Sequence, residues 1–276
     1  MKHFFVDLKS EFEGLGSKQD VSLECFLGET YENAPEDRRK PAILICPGGA
    51  YAFVSRFREG EAIAYKYLNE GFDAFILNYS VYPEHYPQQV MEAAAAVSYI
   101  RSHSEEWKTG KVAICGFSAG GHLAASLGVF WNDPFILDSL KATAEEIRPD
   151  AMVLGYPVIS ANGLFSHGGS IQNVSGTNDK ESPVYKKMSL ENSVDEHTPP
   201  AYIWHTAEDN CVPVRNSIVF ANALAMNKVP FELHIYPYGG HGLATGSYAT
   251  NGFDGNHYVY PWMDESVKFL KSLWNK

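Results

Sequence analysis

Ser118 lies at the centre of Gly116-Phe117-Ser118-Ala119-Gly120, a G-x-S-x-G run, with the mostly apolar run 111–115 before it and the run 121–128, rich in small residues, behind. A strand that turns tightly into a helix holds its central serine in a strained backbone conformation. Small flanking residues tolerate the strain, and the hydroxyl is left exposed at the edge of the sheet. Ser118 is therefore a candidate nucleophile, rather than one residue of an ordinary glycine-rich turn. The chemistry open to it is acyl transfer, and a serine hydroxyl at neutral pH needs a base to perform it.

In this arrangement an orienting acid and then a histidine follow the serine in the chain. Residues 201–205 form an apolar, strand-like run, and the loop after it, Thr206-Ala207-Glu208-Asp209-Asn210-Cys211-Val212-Pro213, offers two carboxylates. Asp209 is the expected acid. Glu208 competes with it, but consecutive side chains leaving a strand point in different directions, so only one faces the histidine. Residues 231–236 alternate apolar and polar and lead into Pro237-Tyr238-Gly239-Gly240-His241-Gly242. Of ten histidines, only His241 combines a post-strand position, glycines on both sides and the right place in chain order. His122 reads as a buried helix residue and His205 and His234 as strand residues. His85, His103, His167, His197 and His257 lie in polar surroundings and read as surface.

Acyl transfer also needs donors for the oxyanion that develops on the carbonyl oxygen. The buried-strand run 42–46 ends in Pro47-Gly48-Gly49-Ala50-Tyr51, where two glycines let the backbone approach a substrate closely. The N–H of Gly49, or of Ala50, is expected to pair with that of Ala119, the residue after the nucleophile. An ordinary glycine turn would also explain this loop taken alone.

These residues together resemble an α/β-hydrolase of the esterase/lipase type, close to the bacterial carbohydrate (acetyl) esterases and the hormone-sensitive-lipase-like branch. The resemblance covers nearly the whole chain. Asn78-Tyr79-Ser80-Val81-Tyr82-Pro83-Glu84-His85-Tyr86-Pro87 is similar to the family's tyrosine-proline segment, and Arg58-Glu59-Gly60-Glu61 to a stretch of sugar-directed acetyl esterases. The lipase-like branch has a histidine and three glycines at the oxyanion loop. Here Pro47 replaces the histidine and Ala50 the third glycine, which weakens any reading as a long-chain lipase. The resemblance implies a central, mostly parallel eight-stranded sheet with helices on both faces. It also implies a serine carboxylesterase of short-acyl esters, acetylated sugars among them, with no cofactor and no metal.

The chain of 276 residues fits one such domain, and its net charge of −11 disfavours nucleic acid and anionic membranes as partners. A small, weakly charged ester is the expected partner. Cys25, Cys46, Cys115 and Cys211 show no C-x-x-C pairing and read as reduced core thiols. Only three consecutive apolar residues, Phe4-Phe5-Val6, precede a charge at the N-terminus, too few for a secretory segment, so a cytoplasmic enzyme is expected. No run approaches the ~20 apolar residues of a membrane span.

The elements that must position these residues alternate between strand and helix, the pattern of a mostly parallel sheet covered on both faces. Strands are expected over residues 21–27, 42–46, 72–77, 111–115, 151–155, 201–205 and 231–236. Helices are expected over residues 59–70, 88–107, 119–130, 214–226 and 262–274. No nucleotide-binding glycine motif follows a strand. Between residues 157 and 200 the rhythm breaks into a polar Gly/Ser/Asn-rich stretch, too long for a simple connection and expected to be a cap, a lid or a homodimer contact. Tyr51, Tyr82 and Trp131, with Phe53 and Phe165, are candidate substrate-binding aromatics, though such residues are more often core. Glu59 suits the start of a helix through the helix dipole. The sharper reading is an Arg58–Glu59 ion pair under the oxyanion loop. Two other functions remain open: a serine peptidase of the same fold, disfavoured because no second domain screens peptides, and a catalytically silent binding protein, which would need none of the three catalytic residues.

Overall fold

The apolar runs form one eight-stranded sheet: β1 (Lys2–Asp7), β2 (Ser22–Leu27), β3 (Lys40–Cys46), β4 (Asp73–Asn78), β5 (Thr109–Phe117), β6 (Ala151–Gly155), β7 (Ala201–Thr206) and β8 (Phe231–Tyr236). Their order across the sheet is β1-β2-β4-β3-β5-β6-β7-β8. The computed structural model describes residues 1–29, 35, 38–252 and 259–274, so His257 lies outside the described residues. β2 pairs antiparallel with both β1 and β4, and every later pairing is parallel. Parallel strands point all their C-terminal ends one way, so the loops after β3, β5, β6, β7 and β8 gather on one edge, where ligands bind in open α/β sheets.

Side chains alternate across each strand and build a core on either face. Ala42, Leu44 and Cys46 of β3 pack on one side, under α2 (Gln88–Ser102), α3 (Ala119–Phe130) and α6 (Arg215–Met226), through Val90, Leu123, Phe220 and Leu224. Ile43 and Ile45 face the other side, against Ile63 and Tyr67 of α1 (Ala62–Asn69) and Trp262 and Phe269 of α7 (Trp262–Trp274). The connection from β6 to β7 contains α4 (Gly168–Ser175), α5 (Pro183–Lys187) and a 3-10 turn at Leu190–Asn192. No helix among the described residues is long and apolar enough to cross a membrane.

Besides short helices at Leu8–Glu11, Pro134–Leu140, Ala144–Ile147 and Tyr248–Asn251 that carry no clear signal, three elements depart from the sequence reading. β1 is an edge strand with only Val6 buried, so it lacks a strong apolar pattern. The helix expected over residues 88–107 breaks at His103 and resumes at Ser104–Trp107. There Ser102 Oγ donates to the Tyr99 carbonyl, and the His103 ring lies against that same oxygen; such local side-chain bonds compete with the helical ladder. The helix expected from residue 59 begins instead as a π-helical turn, Phe57–Glu61, which leaves Glu59 buried.

Candidate active site

β5 delivers Ser118 into the turn before α3 with φ 53° and ψ −120°, a region that side chains rarely adopt. The turn is close-packed backbone. A Cβ on Gly120 would stand 2.0 Å from the Cys46 carbonyl oxygen, and one on Gly116 2.1 Å from the Gly120 carbonyl oxygen. Those contacts admit only glycine, which is the physical content of the motif. The Ser118 N–H donates to the Gly155 carbonyl, and the Ser118 carbonyl accepts from His122 and Val158.

The loop after β8 brings His241 Nε2 to 2.8 Å from Ser118 Oγ, and Nδ1 to 2.7 Å from Asp209 Oδ2. The other Asp209 oxygen, Oδ1, accepts the N–H groups of Cys211 and Val212, both at 2.9 Å. His205 reaches Oδ2 as well, at 3.3 Å. Its Nε2–H also donates to the Val212 carbonyl at 2.8 Å, while Nδ1 lies 2.8 Å from Ser217 Oγ. Burial by itself would raise the Asp209 pKa. The hydrogen bonds from His205, His241 and the backbone outweigh it and hold the carboxyl well below the usual carboxylate range. Glu208 instead accepts the Gly239 N–H at 3.0 Å and so pins the histidine loop from the exposed side.

Beneath these groups runs a buried chain of hydrogen bonds. Glu59 Oε2 accepts the Gly48 N–H at 2.8 Å, and Oε1 accepts the Tyr156 hydroxyl at 2.6 Å. The Tyr156 oxygen in turn accepts the Ala244 N–H at 3.0 Å, and its ring stands edge-on to His241 with centroids 5.0 Å apart. Burial pushes the Glu59 carboxyl up, and the bonds from Tyr156 and Gly48 oppose the rise. The expected Arg58–Glu59 pair is absent among the described ion pairs: Arg58 is exposed and donates to the Gly242 carbonyl and Asn251 Oδ1, because the π-helical turn directs the two neighbours to opposite sides.

The loop expected to receive the oxyanion is a run of positive φ: Gly49 at 132°, Ala50 at 57° and Tyr51 at 55°. A Cβ on Gly49 would sit 2.0 Å from the Phe53 carbonyl oxygen. The Tyr79 hydroxyl holds the Pro47 carbonyl at 2.6 Å, and Asn173 Nδ2 on α4 holds the Ala50 carbonyl at 2.9 Å. Gly49 and Ala50 line a cleft of 270 Å³ together with Ser118, His241, Phe53 and His167. Ala119 opens α3, where a helix leaves its first N–H groups without intrahelical partners.

The aromatic candidates fare differently. Tyr51 is fully buried, with its hydroxyl 3.0 Å from His122 Nδ1, so it supports the loop and does not meet the cleft. Trp131 follows the last residue of α3, roughly 20 Å along the helix axis from Ser118 at 1.5 Å per residue, under the Arg148 guanidinium. Tyr82 is exposed beside the loop, its N–H bonded to the Tyr51 carbonyl, and does not line the cleft. Phe165 is buried beneath Arg215, whereas Phe53 is exposed at the cleft. Cys25, Cys46 and Cys115 are buried thiols, but Cys211 is exposed and lines the cleft, since its loop leaves the sheet at that edge. His167, read as a surface residue, is half-buried in the cleft wall. Tyr156, Asn173 and His205 carry no local motif that would mark them.

Sheet order, elbow and loop placement are those of an α/β-hydrolase fold. The BD-FAE family model matches residues 29–224, more than half of the chain, and the chain belongs to that family. It is 36% identical over 232 residues to endo-1,4-beta-xylanase B of Butyrivibrio fibrisolvens, covering 81% of this chain and 36% of that protein. To the acetylxylan esterase of Xylanibacter ruminicola it is 31% identical over 233 residues, covering 83% of this chain and 45% of that one. The chain thus spans less than half the length of either relative. Among solved structures, the acetyl ester-xyloside bifunctional hydrolase of Caldicellulosiruptor lactoaceticus superposes with a TM-score of 0.83 at 31% identity, covering 98% of this chain and 96% of that one.

Proposed function

We propose that the chain is a serine carboxylester hydrolase of small, short-acyl esters, with acetylated sugars as its substrate class. The observation that carries this reading is the relay from Ser118 through His241 to Asp209, with contacts of 2.8 and 2.7 Å. His241 takes the Ser118 proton as the hydroxyl attacks the ester carbonyl. Asp209 fixes the proton on Nδ1 and balances the imidazolium charge. The N–H groups of Ala119 and of Gly49 or Ala50 receive the oxyanion. Collapse of the tetrahedral intermediate passes the proton to the leaving alcohol, and water, activated by the same histidine, releases the acyl group.

The cleft volume of 270 Å³ supports a small substrate, since sites for larger ligands run to about 1,000 Å³. The names of the xylan- and xyloside-directed relatives support the sugar. We read residues 157–200 as a small insertion forming one wall of the cleft, too polar in its first half, where Asn162, Ser166, His167 and Ser170 stand, to be a lipid-binding lid. The test is kcat/KM over p-nitrophenyl esters of graded length, with acetylated xylo-oligosaccharides alongside. Each methylene buried in an acyl pocket contributes about 0.8 kcal/mol, so a long apolar channel would make the values climb with chain length. They are expected to fall beyond about four carbons. An optimum at octanoate or longer refutes the small-ester reading.

A further inference from the structure

His167 stands outside the relay, on the β6–β7 connection, yet it lines the same cleft as Ser118, His241 and Gly49. Its ring is held in one orientation at the start of α4. Nδ1 accepts the Ser170 N–H at 3.3 Å and lies 2.8 Å from Ser170 Oγ. With Nδ1 an acceptor, the proton of the neutral ring sits on Nε2, for which no protein partner exists among the described residues. Burial lowers the His167 pKa, against the opposing charge of Asp209, and favours that neutral form. Asn173, on the same helix, bonds the Ala50 carbonyl, so the helix carrying His167 is tied directly to the oxyanion loop.

Direction follows from the chemistry. The carbonyl oxygen of a bound ester faces the backbone donors, and the leaving oxygen faces His241, which must protonate it. His167 lines the cleft together with His241, and this places it beside the alcohol half of the substrate. We propose that His167 is a specificity-determining residue whose Nε2–H donates to a hydroxyl of the alcohol half, selecting esters of polyhydroxylated alcohols such as sugars over esters of simple alcohols. This rests on the ester-hydrolase reading above.

The experiment compares two acetates that share an acyl group: methyl 2-O-acetyl-β-xylopyranoside, with free hydroxyls beside the ester, and phenyl acetate, with none. The readout is the ratio of their kcat/KM values in the wild type, in His167→Phe, which keeps a ring but no donor, and in His167→Gln, which restores a donor. The ratio should fall about tenfold in the Phe variant, the scale of one neutral hydrogen bond, and recover in part in the Gln variant. A ratio unchanged in His167→Phe, no recovery in His167→Gln, or a wild type that does not favour the xyloside overturns the inference while leaving ester hydrolysis intact. Hydrolysis of neither acetate by the wild type would instead bring down the ester-hydrolase reading, and the inference with it.

Discussion

Two stretches of chain close on the same cleft and are held in different ways. The corner made by the elbow and the oxyanion loop is fixed by backbone contact: no side chain fits at Gly120 or Gly49, and a buried carboxylate, Glu59, is matched to one donor at each oxygen. The β6–β7 connection has backbone bonds at Val158–Ser118 and Tyr86–Val174, and between them it is held by separate side-chain links. Asn216 accepts from Ile159 and Ser160, Ser189 accepts from Ala161, and Asn173 donates to Ala50. Backbone contact admits few residues, whereas a link of one side chain to one backbone group can be met by several. The corner is thus suited to fixed chemistry and the connection to adjustable selection.

That contrast predicts a graded series. The largest effects belong to the relay: Ser118→Ala and His241→Ala should each lower kcat by about 10⁴- to 10⁶-fold, with the double variant little worse, because the groups act as a unit. Steady-state and single-turnover rates with p-nitrophenyl acetate measure this, and additive losses would separate the two residues. An organophosphonate should label Ser118 once in the intact protein, read by mass.

Next comes the acid. Asp209→Asn should cost about 10³- to 10⁴-fold in kcat, and Glu208→Gln only a few-fold, since Glu208 serves the loop backbone. The reverse order would reassign the orienting carboxylate. Asp209 also carries a pH signature. Its folded pKa is depressed, so its contribution to stability is present above the unfolded value of about 3.9 and is lost as pH falls through the folded value. Urea unfolding of wild type and Asp209→Asn should show a gap widest near neutrality and narrowing below about pH 4. A gap constant across that range would mean that the Asp209 charge contributes nothing to folding.

Smaller still is Glu59→Gln. Its amide nitrogen must face either the Gly48 N–H or the Tyr156 hydroxyl, and facing Gly48 would set two donors against each other. A kcat loss of about 10- to 100-fold with little change in KM is expected, as for a displaced oxyanion donor. Asn173→Ala, on the connection, should lower kcat by only about 3-fold, the scale of one partly exposed hydrogen bond. If Asn173→Ala proves as damaging as Glu59→Gln, the connection belongs to the catalytic corner and the contrast collapses.

Much of this architecture was legible in the chain. α3, β6, β8 and α7 run over the residues expected of them, α3 because small residues follow the elbow and the others because each carries an apolar pattern bounded by turn residues. The candidate residues Ser118, Asp209 and His241 also stand out, since each follows a strand in a loop whose composition is itself unusual. The partners of those residues do not. Tyr156 reads as a strand-end tyrosine, His205 as a strand histidine and Asn173 as one polar residue in a polar stretch.

What the sequence by itself determined is local: a strained strand-to-helix turn needs its glycines, and a buried parallel strand needs its unbroken apolar run. Those demands act over five to ten residues and leave a mark within them. Only the tertiary structure decided that Glu59 lies under Gly48, that Tyr51 turns inward to His122 while Phe53 stays out, and that His167 meets the cleft. Glu59 and Tyr156 are 97 positions apart, and Asn173 is 123 from Ala50. Contacts at such separations depend on how strands order themselves across the sheet, and a residue's own neighbours in the chain carry no trace of that.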